Sequence, residues 1–125
     1  MEKMKIEPTD DSPYILLDKE SRVFEIAGKS LPEDVTGFFE PVLEWLTDYQ
    51  KDPLDQTDLH FRLIYFNTAS SKLILDILMI MEEIREAGHG VTIHWHSPVR
   101  DEDMQEAGEE YAEMVDLEFV HETYE

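Results

Sequence analysis

The chain has 125 residues, enough for one ordinary domain and too few for two; 42% are hydrophobic and 10% aromatic, so wholesale disorder is excluded. Thirty acidic side chains against ten basic ones leave a net charge of −20, which repels nucleic-acid backbone and anionic membrane as main ligands. The absence of cysteine removes disulfide and thiolate chemistry, and the polar start Met1-Glu2-Lys3-Met4-Lys5 has no apolar signal region, so a cytoplasmic location is expected.

Residues 1–12 are polar and are followed by Pro13, which predicts a loose arm ahead of one domain over 13–125. Tyr14 to Leu17 and Arg22 to Ala27 read as strands joined by the polar turn Asp18-Lys19-Glu20-Ser21. From Val35 the period changes to about 3.6, with Val35, Phe38, Phe39, Val42, Leu46 and Tyr49 on one stripe. Pro41 interrupts that stripe without ending it, which favours a continuous, kinked helix over one that starts at Pro41. Leu59 to Phe66 is the clearest strand and Ser70 to Ala87 the clearest helix, stopped by Gly88-His89-Gly90. The run Leu73 to Met81 is broken by Asp76 and is too short to cross a bilayer. Val91 to His96 is a strand, Asp101 to Val115 an acidic helix and Leu117 to His121 the last strand.

The order ββαβαβαβ is that of an α/β fold: a mostly parallel five-stranded sheet with one antiparallel edge. Leu59, Phe61, Leu63 and Tyr65 alternate with His60 and Arg62, and Val91, Ile93 and Trp95 with Thr92, His94 and His96. Strands covered on both faces would be apolar on both, so the helices are expected mainly on one face.

Two long segments, Leu59 to Leu75 and Ala87 to Arg100, contain no acid. Each covers a strand and the loop after it, and such loops meet at the carboxyl edge of an open sheet, where these folds place their sites. Lys72, Arg100 and a helix amino end collect there. In the loop Asn67-Thr68-Ala69-Ser70-Ser71, three hydroxyls crowd one helix start. One of them, Thr68 or Ser70, suffices as an N-cap. The other reading is a phosphoacceptor, since a phosphate would meet the helix dipole and unpaired amides favourably. Leu75 and Met79, four apart beside Lys72, form a candidate partner contact on the outer stripe of that helix. His94 and His96, with His60 and Glu118 on flanking strands, permit a zinc site or a histidine-based activity on the open face; mutual pairing in a polar surface is the plainer account. The acids Asp101-Glu102-Asp103 open a helix and complement its dipole.

The segment Leu63-Ile64-Tyr65-Phe66-Asn67-Thr68-Ala69-Ser70 resembles the Leu-Tyr-Leu-Asn-Thr-Ser-Ser pattern of the SiaC family of regulatory phosphoproteins, which has an anti-sigma-factor-antagonist (STAS-like) fold. Pro32-Glu33, Trp45, Asp76, Glu82-Glu83 and Trp95-His96 fit the same family, so the resemblance runs from about Tyr14 to Tyr124. It implies a non-catalytic protein without a cofactor, phosphorylated on Thr68 by a GHKL-type serine/threonine kinase and dephosphorylated by a PP2C-type phosphatase. The unphosphorylated form would bind and activate a diguanylate cyclase, raising cyclic di-GMP and promoting aggregation or biofilm. Ala69 stands where the family pattern has serine and leaves the acceptor intact.

Overall fold

The structure, a computed structural model, describes all 125 residues. The elements are β1 (Met4–Ile6), β2 (Tyr14–Asp18), β3 (Val23–Ser30), α1 (Val35–Gln50), β4 (Gln56–Phe66), α2 (Thr68–Glu86), β5 (Gly90–Pro98), α3 (Glu102–Met114) and β6 (Glu118–Tyr124). The strands form one sheet in sequence order, antiparallel from β1 to β3 and parallel from β3 to β6. All three parallel crossovers step the same way, and right-handed connections of that kind put every helix on one face. Burial agrees: Phe24, Ile26, Leu59, Phe61, Val91, Ile93 and Trp95 point into the core, while the residues between them are only partly covered. No helix is long and apolar enough to cross a membrane.

The α/β class and the one-sided helices match expectation, but the sheet has six strands rather than five. The extra strand lies inside the arm expected to be loose. Met4 and Ile6 pack against the core, Met4 pairs with Leu17 and Ile6 with Ile15, and the Trp45 indole Nε1 donates to the Glu2 carbonyl at 2.8 Å. Helix α1 runs unbroken through Pro41, as its apolar stripe predicts. Its cap is Asp34, whose carboxylate accepts the Gly37 N–H at 3.1 Å.

The carboxyl edge is shaped by two features. Trp95 is buried in the second half of β5, donates from Nε1 to the Met104 carbonyl at 2.9 Å, and packs against α3 where Gly108 leaves room for it. A Cβ on Gly108 would run into that ring. The second feature is a bulge in β4. Gly28, at φ +95°, pairs with Leu63, but Lys29 pairs with Tyr65, so Ile64 is the extra residue. This corrects the expected alternation: Tyr65 does not continue the inward row of Leu63 but is 50% exposed beside Ile64, 55% exposed. Phe66 takes the inward place instead, against Trp95 and Tyr111. Bulges of this kind re-aim the chain beyond them, here the loop into α2.

Candidate functional site at the start of helix α2

Helix α2 begins one residue after β4 ends. Its cap is neither Thr68 nor Ser70, as the hydroxyl count suggested, but Asn67, whose Oδ1 accepts the Ser70 N–H at 2.8 Å. The Asn67 carbonyl takes the Ser71 N–H at 3.0 Å. With the cap supplied by an amide, the three hydroxyls are released for other roles, and the structure separates them sharply.

Ser70 is fully buried and its Oγ donates to the Ser30 carbonyl at 2.9 Å. Ser71 is half-buried and its Oγ donates back to the Thr68 carbonyl at 2.6 Å. Thr68, the first residue of the helix, is exposed, and its hydroxyl makes no hydrogen bond within the protein. Ala69 beside it is exposed as well. Of the three hydroxyls, Thr68 alone is both exposed and without a hydrogen bond inside the protein.

The electrostatics single out the same place. Helices α1 and α3 are capped by the carboxylates of Asp34 and Asp101, and α3 adds Glu102 and Asp103 in its first turn. Helix α2 has a neutral cap and no acid in its first turn. In a chain with 30 acidic residues, its partial positive end is the one left uncomplemented. The surrounding edge is not acid-free, however, as the two acid-poor segments had suggested. Asp101 and Asp103 line a hollow with Ile64, Tyr65 and Phe66, because α3 starts against the β4 bulge.

The expected partner-binding residues are only partly brought together. Lys72 and Leu75 line a groove of about 280 Å³ between α2 and α3, with Phe66, Ala107, Tyr111 and Met114 opposite. Tyr111, which lines the groove, donates from Oη to the Ser71 carbonyl at 2.8 Å, and burial pushes the phenol's pKa up. Met79 is 50% exposed one turn further along α2, outside the groove lining. Arg100 lies apart, in a hollow with Pro98, Val99 and Tyr124.

The open sheet face carries the histidines. His60 Nδ1 and His96 Nε2 share a hydrogen bond of 3.0 Å, and the His60 and His94 rings stack at 4.3 Å. His94 Nε2 meets Asp58 at 2.8 Å, His96 Nδ1 meets Glu122 at 3.4 Å, and Arg62 pairs with Glu25 at 2.9 Å. Partial burial lowers the pKa of His60, with His94 and Arg62 adding to the effect, and burial followed by Arg62 lowers that of His96. Four of the six ring nitrogens are engaged with one another or with carboxylates, and no three His, Asp or Glu side chains converge as a metal site. Nothing in this geometry favours the zinc or histidine-chemistry reading.

Comparison with known proteins agrees with the fold and points to a family. The family model described as SiaC family regulatory phosphoprotein matches residues 6–124. An uncharacterised protein of Pseudomonas aeruginosa strain UCBPP-PA14 is 32% identical over 120 residues, covering 96% of this chain and 95% of that one. Among solved structures, SiaC of Pseudomonas aeruginosa superposes with a TM-score of 0.91 at 30% identity, covering 99% of this chain and 100% of its own. A chain in the crystal structure of the diguanylate cyclase SiaD in complex with its activator SiaC, from the same organism, also gives 0.91 at 30% identity, over 97% and 99% of the two chains.

Proposed function

We propose that this chain, which belongs to the SiaC family of regulatory phosphoproteins, is a non-catalytic switch: unphosphorylated it binds and activates a diguanylate cyclase, and phosphorylation of Thr68 releases it. The reading of the output rests on the family and on the relative solved with its cyclase. The observation that carries Thr68 is its place as the one exposed, unbonded hydroxyl on the one helix start that bears no carboxylate.

A GHKL-type serine/threonine kinase would add the phosphate and a PP2C-type phosphatase remove it. Thr68 follows the sheet's carboxyl edge, and Asp76 is the first acid beyond it on α2, so ATP can approach without a carboxylate from its own helix turn in the way. The added charge, about −1.5 to −2 at neutral pH, meets the helix dipole and the first-turn amides of Thr68 and Ala69. The fold therefore tolerates the modification. A partner seated over Lys72, Leu75 and Met79 would instead have to desolvate a doubly charged group at its margin, and a penalty of about 1.4 kcal/mol already weakens binding tenfold.

Incubation with the cognate kinase and ATP, followed by mapping of phosphate by mass spectrometry, tests the assignment. Phosphate is expected on Thr68 and absent from Thr68→Ala, which stays folded and retains cyclase binding. Phosphate on Ser70 or Ser71 with Thr68 unmodified overturns it.

A further inference from the structure

Ser30 and Ser70 stand forty residues apart in sequence and meet in the interior, 1% and 0% exposed. Ser30 Oγ donates to Ser70 Oγ at 2.9 Å, while Ser70 Oγ donates to the Ser30 carbonyl at 2.9 Å. The same carbonyl accepts the Asn67 N–H at 3.0 Å. Three bonds thus fasten the start of α2 to the last residue of β3. The β4 bulge makes this possible: with Ile64 looped out of register, Ser30 pairs with Phe66 instead of Tyr65 and comes level with the loop.

A buried hydroxyl pair adds little net stability over an apolar pair of the same shape, because each hydroxyl gives up water to make its bond. It does add direction. An α-helix turns about 100° per residue, so Thr68 and Ser70 project about 200° apart around the axis of α2. Holding Ser70 inward by a directional bond turns Thr68 outward. An apolar side chain in the same pocket would bury itself without fixing that rotation to the same degree.

We propose that Ser30 is a positioning residue for phosphorylation: acting through Ser70, it sets the rotation of the first turn of α2 and so presents Thr68 to the kinase. This rests on the reading of Thr68 as the acceptor. Ser30 touches neither the kinase nor ATP, since it is buried beneath the loop.

The test compares wild type with Ser30→Ala, Ser70→Ala, the double variant and Ser30→Thr, using the cognate kinase with ATP well below each variant's melting temperature. Ser30→Ala, which removes one hydrogen bond, should lower kcat for Thr68 about three- to tenfold, and Ser70→Ala, which removes both bonds made by Ser70 Oγ, should lower it further, with KM for the protein near wild type because the surface is unchanged. The double variant should lose no more than the worse single one, the mark of a coupled pair. Ser30→Thr, which keeps the hydroxyl, should restore kcat, and amide exchange at Asn67 and Ser70 should quicken only where the hydroxyl is lost. Wild-type kcat and exchange in Ser30→Ala, additive losses in the double variant, or a Ser30→Thr as slow as Ser30→Ala each overturn the role of Ser30. A wild-type protein that takes no phosphate on Thr68 overturns the acceptor reading itself, and the role of Ser30 with it.

Discussion

Helices α2 and α3 begin at the same edge of the sheet and are capped in the same way, yet one start is uncharged and the other acidic. In each, a side-chain oxygen accepts the N–H three residues on: Asn67 from Ser70 at 2.8 Å, Asp101 from Met104 at 3.0 Å. Helix α3 meets its own dipole with a carboxylate cap and two further acids, whereas α2 presents an amide and hydroxyls. The first arrangement is complete when the chain folds. The second leaves favourable room for negative charge, and that is the form a start reserved for phosphate would take.

The largest effect that sharpens this contrast comes from placing one charge two residues apart on α2. Ser70→Asp would bury an unpaired carboxylate beside Ser30 in a fully enclosed site, and a loss of about 3–5 kcal/mol is expected in urea unfolding. A loss below about 1 kcal/mol would show that the pocket opens to water and that the enclosure of Ser70 is overstated.

Next come the caps. Asn67→Ala and Asp101→Ala should each cost about 1 kcal/mol by denaturant unfolding, since each leaves a first-turn amide unpaired. Exchanging their chemistry separates geometry from charge. Asn67→Asp should gain about 0.3–1 kcal/mol at low salt, and Asp101→Asn should lose a similar amount. If both exchanges are neutral, the dipole is irrelevant at these starts and the contrast reduces to hydrogen-bond geometry.

Much of this was open to a reader of the sequence. The three helices and the strands from Tyr14 onward follow from periodicity, and the one-sided packing from strict alternation around Leu59, Phe61, Val91, Ile93 and Trp95. What was hidden depends on contacts distant in sequence. Met4-Lys5-Ile6 is too short to signal a strand and becomes one only because β2 and Trp45 wait for it. The β4 bulge falls opposite Gly28 on the neighbouring strand and leaves no mark in the β4 sequence, where Ile64, Tyr65 and Phe66 read as three more alternating residues. Thr68 and the crowd of hydroxyls were visible. Which of them was free was not, because the answer lies in Asn67 taking the cap and in Ser30 taking Ser70. Asn67 was legible in principle, since an asparagine caps as well as a serine. Ser30, at the end of a strand forty residues away, gave no local sign.

The smallest expected effect tests the electrostatic side of the contrast most directly. Thr68→Asp puts one carboxylate in the first turn of α2, as Glu102 does in α3, and the exposed site imposes no burial cost. It should raise unfolding free energy by about 0.3–1 kcal/mol at low ionic strength. In 1 M salt the screening length falls to about 3 Å, and the gain should largely vanish. Glu102→Gln should mirror it, losing a similar amount at low salt and little at high salt. Aspartate carries less charge than phosphate, so Thr68→Asp should weaken cyclase binding only in part, and calorimetric titration at the same two salt concentrations would show whether the two effects share a cause. If stability rises while affinity is untouched, the positive end of α2 accepts charge without reporting it to a partner. If both respond and both fade with salt, the helix start that the chain left without acid is also the one through which added charge is read.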